Sequence, residues 1–180
     1  YARPMTLLLV GAAFMGMEAF VYVSHRFLMH GPGLPVHQSH HEERDEPGLE
    51  LNDLYPLFGS VLAMAAFGVG LNVEGWGFLV PIGIGLTLYG AAYAFVHDVY
   101  IHRRLRWFTA EVPFLERLKA AHRIHHLWAG EPYGMLFPVV PAELRRRAER
   151  IDYDPFAPAR PAPAPAPASG SMPSQVPAER

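Results

Sequence analysis

Three apolar runs, set between polar stretches that carry the histidines, give this chain its pattern. Residues 5–23, MTLLLVGAAFMGMEAFVYV, are broken only by Glu18, and a helix of that length, rising about 1.5 Å per residue, is long enough to cross a bilayer. Residues 56–73 (PLFGSVLAMAAFGVGLNV) and 77–96 (GFLVPIGIGLTLYGAAYAFV) form two more runs, joined by the turn Glu74-Gly75-Trp76. They predict a transmembrane hairpin with Tyr55 and Trp76 at headgroup depth and with Gly83, Gly85 and Gly90 available for close helix packing. Between the first run and the hairpin, Gly31-Pro32-Gly33 and Pro35 predict a break after His30, and HQSHHEE starts a further helix. The stretch 127–141, LWAGEPYGMLFPVVP, is apolar but too short and too proline-rich for an ordinary span, which leaves the count at three to four. AELRRRAER, from Ala142 to Arg150, reads as a short basic helix, at anionic headgroups, against an acidic electron donor, or simply solvated. Beyond Asp154 the chain holds eight of its 18 prolines and predicts a disordered, polyproline-leaning tail.

Composition adds the solvent. With 180 residues, 51% hydrophobic and only 18% charged, the chain suits one domain of the membrane class. The absence of cysteine excludes disulfides, thiolate metal sites and iron–sulfur clusters. A net charge of -2 points to no nucleic-acid partner. One span before residue 24 and a hairpin between 54 and 97 put segments 24–54 and 97–180 on the same side of the membrane. Of the 15 basic residues only Arg3 falls outside those segments, so the positive-inside rule makes that side cytoplasmic. The rival for the first run is a cleaved signal peptide with Arg3 as its basic end. It is weaker because the run leads straight into the first histidine motif. The expected architecture is an all-α integral membrane protein with a cytoplasmic, histidine-rich helical cap holding a dinuclear metal site. Residues 1–152 form the membrane-embedded domain and 153–180 the tail.

All ten histidines fall into a repeated pattern. His25 and His30 form an H-x4-H pair followed by the triplet His37, His40 and His41; His97 and His102 repeat the pair and His122, His125 and His126 the triplet. A repeated pair-plus-triplet implies two similar half-sites and two metal ions. Residues three and four apart leave one face of an α-helix within a turn, so each triplet can converge on a cation. Residues five apart diverge by roughly 140° on such a helix, so each pair is expected to grip a metal lying across a helix end. Imidazole suits zinc, copper, iron and nickel, and the ligand set alone does not choose among them. Several other residues carry two readings. Glu18 either faces the bundle interior or water, or caps a shallow span. Glu42 and Glu43 either orient ligating imidazoles or belong to a solvated helix face. Asn52 and Asp98 either support the ligands or serve structure, Asp98 by pairing with Arg103 or Arg104. Phe20, Tyr22, Tyr93 and Phe95, at span ends near the histidines, either line a substrate channel or pack the core.

The motifs SHRFLMHG (24–31), HQSHHE (37–42), NDLY (52–55), VHDVYIHRR (96–104) and AHRIHH (121–126), in this order, resemble the membrane-bound fatty acid hydroxylase superfamily and, within it, the bacterial β-carotene 3-hydroxylase family. The resemblance covers about residues 5–140. It implies a non-haem di-iron monooxygenase of the bacterial inner membrane, with the ten histidines as metal ligands and catalytic residues. O2 would be the co-substrate, the C3 position of a carotenoid β-ionone ring the target, and a ferredoxin with its reductase the external electron donor. The chain carries no flavin, nicotinamide or haem motif of its own. The Arg103–Arg106 stretch and the Arg145–Arg147 helix are the candidate docking surfaces. Two alternatives compete. One is the same chemistry on a fatty acyl or sterol lipid; the other is a non-redox protein that binds or moves metal, against which stands the placement of the histidines outside the apolar runs.

Overall fold

The computed structural model describes residues 3–42, 48–105 and 107–156. Among them every regular element is helical. Helix α1 (Arg3–Val23) continues into a π-helical turn, Ser24–Met29, and after the break at Gly31–Gly33 comes α2 (Leu34–His41), with Pro35 in its first turn. A 3-10 turn (Leu51–Asp53) leads into α3 (Leu54–Asn72), and α4 (Leu79–Ala94) returns and passes into a second π-helical turn, Phe95–Ile101. Helix α5 (Pro113–Trp128) and the short α6 (Ala142–Ala148) complete the cap.

Three continuous helices, Arg3–Met29, Leu51–Asn72 and Leu79–Ile101, are long and apolar enough to span a membrane. Their sides confirm the solvent: Leu7, Leu8, Phe20, Leu57, Phe58 and Leu71 are each more than half exposed. So much contiguous apolar surface is ruinous in water and ordinary in lipid. Helix α4 lies between α1 and α3, and Gly85 permits the approach to α1, since a Cβ there would come within 2.6 Å of the Val10 carbonyl oxygen. Gly83 packs less tightly against the Phe67 ring, where a Cβ would come within 3.2 Å, and Gly90 faces open space, so two of the three expected packing glycines serve that end. The connecting turn is made at Gly75, whose φ of 82 lies in the left-handed region that favours glycine. The buried core, with Tyr89, Val96, Tyr100, Ile101, Leu118, Met135 and Leu136, sits where the end of α4 meets α5, directly beneath the histidines.

Four details refine the sequence reading. The spans outrun their apolar stretches, so His25 and His97 belong to the membrane helices rather than lying outside them. Helix α2 begins at Leu34 and ends at His41, before the glutamates; Glu42 accepts from Gln38, at 3.3 Å on the exposed face, and Glu43 lies outside the described residues. Residues 129–141 form no fourth spanning helix: α5 stops at Ala129 (φ 49), and an irregular segment turns back with Met135 and Leu136 buried. Glu18 faces the interior and holds that segment. Its carboxylate accepts the hydroxyl of Tyr89 at 2.6 Å and the backbone N–H groups of Met135, Leu136 and Phe137 at 2.9, 3.1 and 3.0 Å. Irregular backbone beside a membrane helix requires such partners. The tail beyond Phe156 is outside the described residues.

Candidate metal centre

The two π-helical turns resolve the awkward five-residue pairs. His30 N–H donates to the His25 carbonyl at 3.0 Å and His102 N–H to the His97 carbonyl at 2.9 Å, so residues five apart close one turn and stack on one side. His30 and His102 each cap the turn, which keeps the expected helix-end position, but the pair converges through π geometry rather than by reaching across an α-helix end.

The ten rings gather into one cluster with two centres. His25, His30, His37, His41 and His125 form the first; His40, His97, His102 and His122 form the second. His126 joins the second, its Nε2 lying 3.0 Å from His122 and 3.2 Å from His40. Each triplet therefore splits instead of converging whole on one cation. Its first and last members stay with their own pair, and the middle one, His40 or His125, crosses to the other. The centres adjoin, with His41 and His126 rings 4.5 Å apart.

The chemistry of the contacts identifies what such centres accept. A neutral imidazole has one N–H. His25 spends it on the Tyr133 carbonyl (Nδ1 to O, 3.0 Å) and His37 on Asn52 Oδ1 (2.7 Å), yet their Nε2 atoms face each other at 3.1 Å. His40 likewise turns Nδ1 to Glu50 at 3.3 Å and His97 to Asp98 at 2.8 Å, with Nε2 atoms 3.0 Å apart. Lone pair against lone pair repels unless a cation lies between. Two nitrogens each about 2.1 Å from one ion, at a right angle to one another, lie about 3.0 Å apart. The donor set therefore fits a metal in each centre.

Burial supports the same reading. His37 and His97 are 2% exposed and His125 fully buried. Desolvation, helped by neighbouring imidazoles, lowers His37 and His40 to about 4 and His41 to about 3, and pushes His102, His122, His125 and His126 well below the ordinary histidine value. His30 is lowered by burial alone. These rings are neutral at pH 7, the state in which imidazole ligates.

The supporting groups were partly foreseen. Asn52 contacts His37 Nδ1, and Asp98 contacts His97 Nδ1 while also accepting Arg104 at 3.3 Å. Arg104 is mainly engaged by Asp53, through two contacts of 2.7 Å, which ties the loop after the second pair to the Asn52–Asp53 turn. Glu50, the Tyr133 carbonyl, the Gly130 carbonyl (2.6 Å from His125 Nδ1) and Phe156, stacked on His122 with ring centroids 5.7 Å apart, were not. Backbone carbonyls leave no trace in side-chain identity, and Glu50 and Phe156 sit in stretches without a motif. Of the four aromatics, Phe20 and Tyr93 line a cavity beside the centre, whereas Tyr22 binds Glu131 at 2.8 Å and Phe95 packs on Phe108.

Comparison with known proteins agrees with this geometry. The Fatty acid hydroxylase family matches residues 10–141. The chain is 38% identical over 135 residues to "Beta-carotene hydroxylase 1, chloroplastic" of Capsicum annuum, covering 72% of this chain and 42% of that protein. It is 42% identical over 133 residues to "Beta-carotene 3-hydroxylase, chloroplastic" of an Oncidium hybrid cultivar, covering 71% and 43%. To "Beta-carotene hydroxylase" of Paracoccus sp. (strain PC1) it is 41% identical over 134 residues, covering 72% and 80%. The chain thus spans less than half the length of the two plant relatives and most of the bacterial one. No solved structure is significantly similar to it. With three membrane-spanning helices, ten clustered histidines and these relatives, the chain belongs to the fatty acid hydroxylase family and, within it, to the β-carotene 3-hydroxylases.

Proposed function

We propose that this chain hydroxylates C3 of the β-ionone ring of carotenoids, taking β-carotene through β-cryptoxanthin to zeaxanthin, as a non-haem di-iron monooxygenase. The ten histidines are assigned as ligands of two iron ions, five to each, within residues 1–152; the tail 153–180 has no catalytic role. Bound iron would supply the redox chemistry that activates O2 against an unactivated C–H bond, which no side chain can do. Each turnover would consume one O2, two electrons and two protons, insert one oxygen atom into the substrate C–H bond and release the other as water.

The observation that carries this reading is a cavity of about 540 Å³ between α1, α3 and α4 that ends at His25, Asn52 and Asp98. Phe58, Leu62 and Met64 line it and are also exposed on the outer face, so a lipid-dissolved substrate enters sideways from the bilayer. Phe67, Tyr89 and Tyr93 give it stiff walls. The hydroxyls of Ser60 and Thr87 are tied to the carbonyls of Pro56 (2.9 Å) and Gly83 (2.8 Å), which turns those two donors away from a hydrocarbon. A chamber of this size holds a ring and part of its chain, while the rest of a long polyene stays in lipid. The walls thus exclude water and set which carbon meets the centre.

Electrons come from an external ferredoxin and its reductase, docking on the face proposed to be cytoplasmic in the bacterial inner membrane. Arg104 is occupied by Asp53 and Arg106 lies outside the described residues, so the basic face of α6, with Arg145, Arg146 and Arg147 exposed, is the better docking surface beside exposed Arg103. Replacing those three arginines by glutamine should weaken turnover with reduced donor and leave metal content intact; unchanged donor dependence removes that surface. The whole reading is tested by product analysis in cells making β-carotene, with and without this chain, together with metal analysis of the purified protein. Zeaxanthin with iron supports it. A hydroxylated acyl or sterol lipid moves the same chemistry to another substrate, and zinc with no turnover after iron reconstitution overturns it.

A further inference from the structure

We infer that Glu18, inside the first membrane span, is a positioning residue for the first metal centre, acting through the re-entrant segment 130–137; this rests on the cluster being a metal site. The proposal comes from two sets of contacts on opposite sides of that segment. On one side its carbonyls orient two imidazoles: Tyr133 accepts from His25 Nδ1 at 3.0 Å and Gly130 from His125 Nδ1 at 2.6 Å. On the other side the segment is fastened to α1. Glu131 accepts Tyr22 and Arg26, each at 2.8 Å, at an exposed edge where such pairs contribute little. The buried fastening is Glu18.

Its four contacts are all donated to it. Oε1 accepts the N–H groups of Met135 (2.9 Å) and Phe137 (3.0 Å), and Oε2 accepts Leu136 N–H (3.1 Å) and the Tyr89 hydroxyl (2.6 Å). A group with two acceptor oxygens satisfies that arrangement in full. An amide in its place turns its N–H bonds either at two backbone N–H groups or at the Leu136 N–H and the Tyr89 hydroxyl, of which only the hydroxyl can reverse to accept, so at least one backbone N–H loses its acceptor. The fit is close: a Cβ on Gly134 would sit 2.8 Å from Glu18 Oε1, so the segment lies on the carboxylate without room for a side chain between them. Glu18 and Tyr22 of α1 and His25, early in the π-helical turn that continues it, also follow one another at four and three residues. A single continuous helix thus carries a ligand and the fastening of the segment that orients this ligand. In the second centre the corresponding Nδ1 partners are side chains, Glu50 and Asp98, so Glu18 bears on the first centre alone.

The test compares wild type, Glu18→Gln and Tyr89→Phe, all full-length and metal-free in detergent, by cobalt(II) titration followed in the visible spectrum and by hydrogen exchange at the amides of Met135, Leu136 and Phe137. In Glu18→Gln those amides should exchange on the order of tenfold to a hundredfold faster, the factor for losing a hydrogen bond to a charged group. Cobalt should bind one centre as in wild type and the other at least tenfold more weakly, the effect expected when a group orienting a ligand is lost. Tyr89→Phe, which leaves the backbone contacts in place, should change both readouts in the same direction and by less. Unchanged exchange, or faster exchange with both cobalt centres intact, overturns the inference, as does equal weakening of both centres, which marks a general loss of fold. Intact cobalt binding with no carotenoid product fails the proposed function and leaves this comparison standing; wild type that binds no cobalt fails both.

Discussion

The two candidate metal centres have the same number of imidazoles and the same pair-and-triplet origin, yet they are supported differently. Behind the first stand neutral acceptors: Asn52 on His37, and the Tyr133 and Gly130 carbonyls on His25 and His125. Behind the second stand carboxylates, Glu50 on His40 and Asp98 on His97. A carboxylate makes the imidazole in front of it a stronger donor than a carbonyl does. Their surroundings differ as well. The lipid-facing cavity reaches a ring of the first centre, His25, and only a group behind the second, Asp98, while the second is covered by Phe156, whose ring lies 4.8 Å from His102 and 5.1 Å from His126. The difference teaches that a repeat in sequence does not make equivalent sites: the first centre meets the cavity, and the second is the more strongly donating and better shielded.

The largest effect should come from the crossing ligands. His125→Ala should empty the first centre although the residue lies in the second triplet, and His40→Ala the second although it lies in the first. In each case metal content falls by about half and hydroxylation is lost. Loss of the opposite centre, read by site-resolved iron spectroscopy, breaks the assignment. Next come the supporting groups. Asp98→Asn and Glu50→Gln should weaken metal binding at the second centre by about 10- to 100-fold, and Asn52→Ala should weaken the first centre by the lower end of that range. Equal losses at both centres in competition titrations erase the contrast.

Acid should act on both centres. Above about pH 6.5 the rings are neutral in the folded and unfolded chain alike, so stability is flat there. Between that pH and about 4, where burial holds His37 and His40, the unfolded chain takes up protons that the folded cluster refuses. Stability of the metal-free protein should therefore fall as pH falls through this window and on towards 3, where His41 titrates. Thermal unfolding in detergent from pH 7.5 to 4 checks the sign; a midpoint that rises on acidification contradicts it. The smallest effect belongs to Phe156→Ala, which should leave metal content unchanged and alter only the spectrum of the second centre. A change in the first centre would mean that the cover is shared.

How much of this the sequence disclosed depends on how local each feature is. The spans are legible because apolar runs are contiguous, and the proposed ligands because every histidine of the chain falls within a motif. The sharing of His40 and His125 was not, since a triplet on a helix says which residues lie near one another and nothing of the second arm that comes between them. The π-helical turns were misread as α geometry because five-residue spacing looks unhelpful until the backbone gains a wider turn. Glu18 was recognised as costly, but its partners are backbone N–H groups 117 to 119 residues away, a relation no local pattern encodes.

The exchange of middle ligands has a consequence for biogenesis. A ribosome that has delivered the opening helix, the α2 arm and the whole hairpin has still made neither coordination sphere complete, because the first lacks a donor carried on α5. The early imidazoles must wait at the membrane surface, open to any passing ion, until α5 arrives. Correct loading is thereby deferred until both arms are made, and a chain truncated before α5 should be a scavenger of metal rather than half an enzyme.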